Sequence, residues 1–419
     1  MVQGTEEAVA NALCAGEEMS GHRGHRVPGL PRETVAGLLR GGAGASYPGR
    51  PRVRRPRITR ARRHVARGER RIGGVMEYRL LGSSGCAVSA LALGTLTFGN
   101  ETSEEDSFAQ LDRFTEAGGT LVDTADVYAD GRSEEIIGRW LASRPGQREV
   151  VVLATKGRFP TDESPNGHGL SRRHLSLALD ASLRRLGVDT IDLYQVHGWD
   201  PLTRLEETLR FLDDAVRAGK INYVGLSNFT GWQLQKAVDL AEFRGLSVPV
   251  SLQPQYNLLA RAVEWELVPA CQAAGLGMLA WSPLASGWLT GKYRRGEPPA
   301  GGTRAVENAD EGMRIWNSRG ESEQTWPVID AVRKVAEGRG ASMAQVAIAW
   351  VLARPAVSAV ILGARSLEQF TDNLAAAGLG LSPEDIQLLD EASAPPAPDY
   401  PYGEKGQTQR SRRIQGGRF

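Results

Sequence analysis

From residue 76 onward, short apolar runs alternate with longer amphipathic stretches, and this alternation constrains the fold more than any other feature of the chain. After an opening segment at 77–88, the runs that read as strands are 90–93, 121–123, 150–155, 191–195, 221–226, 250–253, 277–281 and 359–362. Helical periodicity covers 104–117, 134–141, 172–186, 205–218, 232–244, 264–274, 326–337 with 344–352, and then 367–376. Eight strands alternating with helices predict an α/β fold with a parallel sheet, and eight is the number that closes a (β/α)8 TIM barrel. The strands are continuous apolar runs, as expected where helices cover both faces. A doubly wound open sheet is the alternative.

Local signals support these elements. Ser171 precedes the third helix and Gly187 follows its end, an N-cap and C′ pair, and Gly219 closes the fourth helix in the same way. Two stretches depart from the repeat. Residues 283–325 form a Gly/Pro-rich insertion after the seventh strand, the kind of loop that usually carries function. Residues 394–419 read as a C-terminal tail beyond a barrel domain spanning 76–393.

The net charge of +1 hides a split at Met76. Residues 1–75 contain fifteen Arg, no Lys and six acids, whereas the remainder carries 35 basic and 43 acidic residues. The first segment has one Tyr and neither Phe nor Trp, so it cannot bury enough apolar surface to offset ordering and is expected to be a disordered basic leader. Four Glu in the first eighteen residues and the lack of an apolar core segment argue against a signal or transit peptide. A start at Met76 is the expectation, with a nucleic-acid-binding arm the rival reading of the Arg cluster at 50–63.

Composition narrows the function classes. No apolar run approaches the length of a membrane span. The three cysteines, Cys14, Cys86 and Cys271, form no CxxC pair, which fits a reducing compartment and predicts a cytoplasmic protein. The six histidines show no HExxH spacing, so no metal site is expected. Neither nucleic acid nor membrane is expected as a partner.

The informative residues are polar groups at strand ends. Asp123 ends the second strand, with Tyr128 five residues on; Lys156 ends the third and His197 the fourth. Neighbouring strands lie about 4.8 Å apart, so these groups converge at one mouth of a barrel, where such folds carry their chemistry. Each has a dull explanation alone, as a turn residue, packing or a rim charge. Together, an Asp–Lys pair beside a phenol is expected to lower the phenol's pKa from about 10 and make it a usable acid. No G-x-G-x-x-G follows a strand and opens a helix within 76–419, which argues against a Rossmann domain.

These residues sit in YRLLGSSG, LALGTLTFGN, LVDTADVYADGRSEEIIG, LATKG, DLYQVHGWD, GKINYVGLSNF, SLQPQYNLL, AWSPLASGWLTGKY and ILGARSLEQFTDNLA. In these ordered motifs, from about Tyr78 to about Glu391, the chain resembles the aldo-keto reductase superfamily of NADPH-dependent (β/α)8 barrels. The resemblance implies Tyr128 as proton donor, Lys156 and Asp123 tuning it, and His197 orienting a substrate carbonyl. It implies that Ser227, Asn228 and Gln253 hold the nicotinamide carboxamide. Trp281 would stack on the ring where the family often has Tyr; either supplies a flat π-face. Ser282, Leu284, Ser286, Gly287 and Leu289 match the family's pyrophosphate-covering loop. After the last strand, Gly363 is also implied at the cofactor and Arg365 resembles the contact to an adenosine 2′-phosphate, with Gln369 and Asn373 reaching the adenine from one helical face. Ser366 and Gln369 also form a capping box, a structural explanation that coexists with anion binding.

The expected function is reduction of aldehydes or ketones with NADPH as cofactor and a small-molecule carbonyl compound as partner. Aromatics expected near the mouth, namely Phe98, those of 159–168, Trp199, Tyr400 and Tyr402, favour an apolar or aromatic carbonyl. The resemblance extends to β-subunits of voltage-gated potassium channels, so a nucleotide-holding regulatory subunit with little turnover is the rival. A barrel hydrolase using His197 and Asp123 leaves Lys156 and Tyr128 unused.

Overall fold

Each apolar run from residue 91 onward forms a strand, and the last strand pairs with the first. In the computed structural model, which describes residues 76–301, 318–396, 399–403, 405 and 406, the strands are Leu91–Gly94 (β3), Leu121–Asp123 (β4), Val152–Gly157 (β5), Ile191–Val196 (β6), Ile221–Ser227 (β7), Ser251–Gln253 (β8), Gly277–Ala280 (β9) and Val357–Leu362 (β10). All neighbours are parallel, and β10 lies between β9 and β3, with Val360 opposite Leu91, so the sheet is a closed barrel and not a doubly wound open one. The leader at 1–75, the middle of the insertion and most of the tail lie outside the described residues.

Helices Glu104–Glu116 (α1), Arg132–Ser143 (α2), Gln147–Val150 (α3), Arg172–Leu186 (α4), Leu205–Arg217 (α5), Gly231–Arg244 (α6), Leu267–Ala274 (α7), Thr325–Arg339 (α8), Met343–Leu352 (α9), Leu367–Leu374 (α10) and Pro383–Ala392 (α11) pack around it. Ser171 caps α4 by accepting the His174 N–H, and Gly187 ends it at φ 66°. The predicted strand at 150–155 begins two residues late because the single turn α3 takes Val150. Periodicity alone does not separate α11, which carries its own start signal: Ser382 caps it and Pro383 opens it. No helix among the described residues is long and apolar enough to cross a membrane.

Side chains alternate along each strand, and the two faces sort into two apolar clusters. Leu91, Leu93, Val122, Leu153 and Tyr194 face the helices. Ala92, Leu121, Ala154, Leu193, Leu279 and Ala359 fill the barrel interior. A hairpin missed in the sequence, Tyr78–Leu80 (β1) with Ala87–Ser89 (β2), adds Leu81 and Val88 to that interior. Its Gly82, at φ 59°, lies so close to the barrel that a Cβ would come within 2.3 Å of the Val250 carbonyl oxygen.

Candidate active site

The same alternation places the site. Two residues beyond the interior Leu121, Ala154 and Leu193 stand Asp123, Lys156 and Gln195, so the next inward layer is polar. Lys156 lies opposite Gln195 and Ser227 opposite Gln253 in the register, which sets these groups at one level of the barrel. Lys156 is wholly buried; its ammonium donates to Asp123 Oδ2 at 2.6 Å, the Thr124 carbonyl at 2.7 Å and Tyr128 Oη at 3.3 Å. Gln195 and Gln253 donate to Asp123 Oδ1 at 3.0 and 2.8 Å. The carboxylate is thereby fully engaged: one oxygen on the cation, the other on two amides. Gln195 was missed in the sequence because an amide inside an apolar run gives no local sign of facing inward; its signal is its place two residues before His197 on the inward face.

Tyr128 leaves β4 through a tight turn and meets His197 edge-on, with ring centroids 5.9 Å apart and planes at 74°. The His197 imidazole is buried, and its Nδ1 has no hydrogen-bond partner. Burial, then the charges of Lys156 and Arg158, push its pKa down to about 2, so it is a neutral ring at any physiological pH. Burial also works against the Lys156 ammonium, but the Asp123 carboxylate and the phenol outweigh it and hold the group above its usual value. The expected lowering of the phenol's pKa is not found. Burial raises the Tyr128 value more than Lys156 lowers it, and the carboxylates of Asp123 and Asp126 add to the rise. The sequence shows the cation but not the desolvation that opposes it.

Asp123, Tyr128 and His197 form one end of a cavity of about 670 Å³ that also touches Ser227, Asn228, Gln253 and Trp281, passes Ser282, Leu284, Ser286 and Gly287, and reaches Gly363, Arg365, Gln369 and Asn373. Lys156 stands behind that wall. Leu289 is a correction: it is wholly buried in the outer core, because the turn at Ala285–Thr290 directs it inward beside Trp288. Phe98 is likewise buried core and lines no mouth. Phe159 does stand at the mouth, edge-on to His197 at 4.6 Å, whereas Trp199 packs on Phe229 and Trp232, and Tyr402 stacks on Trp265.

Several predicted cofactor contacts are tied up by the protein. Ser227 Oγ donates to the Gln253 carbonyl, Gln253 Nε2 donates to Asp123 and Gln195, and Asn228 bridges the Trp281 indole N–H to the His197 carbonyl. Arg365 forms an ion pair with Glu101 from the β3–α1 loop. The capping box closes differently from expectation: Ser366 Oγ accepts the Gln369 N–H, but the Gln369 side chain accepts from the Arg365 N–H, one residue earlier than a capping box requires. Lys292, unremarked in the sequence, also lines the cavity, and a Cβ on Gly287 would come within 2.4 Å of its ammonium. Its signal was a basic residue directly after the glycine that ends the 285–290 turn.

Backbone strain gathers at the same mouth. Ala129, Asp130, Asn228, Ser282, Ala285 and Ser286 all hold φ between 49° and 58°, and each lies in a loop following a strand. Non-glycine residues are held in this region only where their surroundings over-determine them, as at binding sites. An elongated cleft of this volume, a flat indole, a cation at each of two points and a capped helix start suit a dinucleotide.

A family model described as the Aldo/keto reductase family matches residues 90–394. An uncharacterized oxidoreductase of Bacillus subtilis (strain 168) is 38% identical over 78% of this chain and 98% of its own length. A versiconal hemiacetal acetate reductase of Aspergillus parasiticus is 36% identical over 77% of this chain and 98% of its own. A probable voltage-gated potassium channel subunit beta of Oryza sativa subsp. japonica is 38% identical over 75% of this chain and 96% of its own.

Proposed function

Because the chain belongs to the aldo/keto reductase family, we propose that it is an oxidoreductase reducing aldehydes or ketones to alcohols with NADPH. The observation that carries this reading is the Tyr128 hydroxyl held 3.3 Å from the buried Lys156 ammonium, at the end of the cleft that suits a dinucleotide. When bound, the nicotinamide supplies hydride to the carbonyl carbon. Tyr128 gives its proton to the carbonyl oxygen, and the phenolate left behind faces Lys156. Asp123 keeps that lysine charged and aimed. The neutral His197 offers a ring N–H to the same carbonyl oxygen without carrying a competing charge. A phenol held above its ordinary pKa starts every cycle protonated, and the adjacent ammonium stabilises the charge only as it forms.

Trp281 would stack on the nicotinamide, and Asn228 with the free Gln253 Oε1 would meet its carboxamide. The loop at 282–287 with Lys292 would cover the pyrophosphate. Arg365 would take an adenosine 2′-phosphate, which has to share or displace the Glu101 carboxylate. The Phe159 edge at the mouth favours an apolar or aromatic carbonyl compound. A cytoplasmic location is part of the same proposal.

The test is multiple-turnover oxidation of NADPH against a panel of carbonyl compounds, for the parent and Tyr128→Phe. Losing a positioned acid removes about 10²–10⁴ in rate, with NADPH binding retained. Parental turnover in Tyr128→Phe overturns the proton-donor role. The likeness to a potassium channel subunit beta keeps a second reading: tight NADPH retention with no turnover on any carbonyl marks a regulatory subunit.

A further inference from the structure

One buried acid in the β4–α2 loop has no part in the mechanism above. We propose that Asp126 and Tyr194 form a second polar cluster behind the catalytic side chains, and that the charge of Asp126 adjusts how readily Tyr128 gives up its proton. The inference rests on the reading of Tyr128 as proton donor. Asp126 is 2% exposed and Tyr194 wholly buried, yet neither carboxylate oxygen nor the hydroxyl has a hydrogen-bond partner. Buried polar groups are nearly always paired, so two unpaired ones side by side mark a place where polarity serves something other than packing. Both face Gly157. A Cβ there would lie 2.3 Å from Tyr194 Oη and 3.5 Å from Asp126 Oδ2, so only a glycine leaves room for both groups against the same stretch of β5.

The cluster is coupled to the catalytic pair through the chain itself. Asp126 precedes Tyr128 by two residues, and its N–H donates to the Lys156 carbonyl at 3.1 Å. The groups around Asp126 come from four other elements. Glu134 on α2 is wholly buried, accepting from Thr155 Oγ1 and from Arg185 of α4, and Lys156 and Tyr194 come from β5 and β6. Burial and the Glu134 charge raise the Asp126 carboxyl, Arg185, the adjacent Val127 N–H and Lys156 oppose them, and the outcome is about 7. Asp126 therefore changes charge in the neutral range, and when charged it raises the Tyr128 pKa. Asp126 is thus a positioning residue: protonated, it leaves Tyr128 the stronger acid; ionised, it makes the phenol a weaker acid and its phenolate a better base. Reduction should slow, and alcohol oxidation should gain, as pH rises through about 7.

The experiment is the pH profile of kcat, at saturating NADPH and carbonyl substrate, for the full-length parent, Asp126→Asn and Tyr194→Phe. Because an ionised Asp126 raises the Tyr128 pKa, kcat of the parent should fall as pH rises from about 6 to 8. Asp126→Asn should abolish that fall, while Tyr194→Phe, by removing a polar neighbour of the buried carboxyl, should move it to higher pH. An independent readout is the infrared band of a protonated carboxyl, which should titrate near neutral pH in the parent, vanish in Asp126→Asn and shift in Tyr194→Phe. An unchanged inflection in Asp126→Asn overturns the proposal, as does the absence of a carboxyl titrating between about pH 5 and 8 in the parent. Undiminished turnover in Tyr128→Phe overturns instead the proton-donor reading beneath it, and the infrared arm tells the two failures apart.

Discussion

Replacing Lys156 by Met tests how the site is held together as well as what it does. The ammonium and the Asp123 carboxylate are 0% and 3% exposed and 2.6 Å apart, so the substitution leaves a buried charge whose remaining donors are the Gln195 and Gln253 amides. Removing one partner of such a pair costs about 3–5 kcal/mol, because the orphaned charge keeps its desolvation penalty and loses its counter-ion. Adding Asp123→Asn removes the orphan, and an asparagine oxygen still accepts from the same two amides. The double variant should recover about 2–3 kcal/mol of the loss, the upper range for groups in direct contact. On the role proposed for Tyr128, activity should not follow stability, since both variants remove the cation that would meet its developing negative charge. Urea unfolding at pH 7.5 gives the stabilities, and NADPH oxidation the turnover. Single-variant effects that add without coupling, or Lys156→Met within about 1 kcal/mol of the parent, would refute the assignment of this pair as the structural centre of the site.

Other outcomes follow from the same geometry. If Arg365 takes the 2′-phosphate as proposed, Arg365→Ala should weaken NADPH about ten-fold while leaving NADH unchanged, measured by quenching of protein fluorescence; equal effects on both would overturn that role. Glu101→Gln should move the same ratio the other way, because the carboxylate competes for that guanidinium. Asp126 should also report through stability. Its folded pKa of about 7 lies above the ordinary 3.8, so its contribution is fully present below about pH 4 and is lost as pH rises through 7. Asp126→Asn should accordingly be more stable than the parent at pH 8, by up to about 4 kcal/mol, with no such gain at pH 4; equal melting-temperature differences at both pH values would contradict it.

The strands and their carboxyl-end residues were legible because periodicity is local: an apolar run with Asp123, Lys156 or His197 at its end announces both a strand and a polar mouth. Caps such as Ser171 and Ser366 are equally local, each needing only a side chain and an N–H three residues on. Closure of the barrel is not local. It depends on β10 finding β3 across most of the chain, and that pairing decides between a barrel and an open sheet. The same holds for Gln195, whose role follows from register with Lys156, and for Phe98 and Leu289, whose direction is set by which neighbours pack against them. It holds most of all for the charges. The sequence shows that an ammonium stands near a phenol, but the fold decides how much water either keeps. Desolvation, summed over every surrounding atom, raises Tyr128, keeps His197 neutral and leaves Asp126 poised near neutrality.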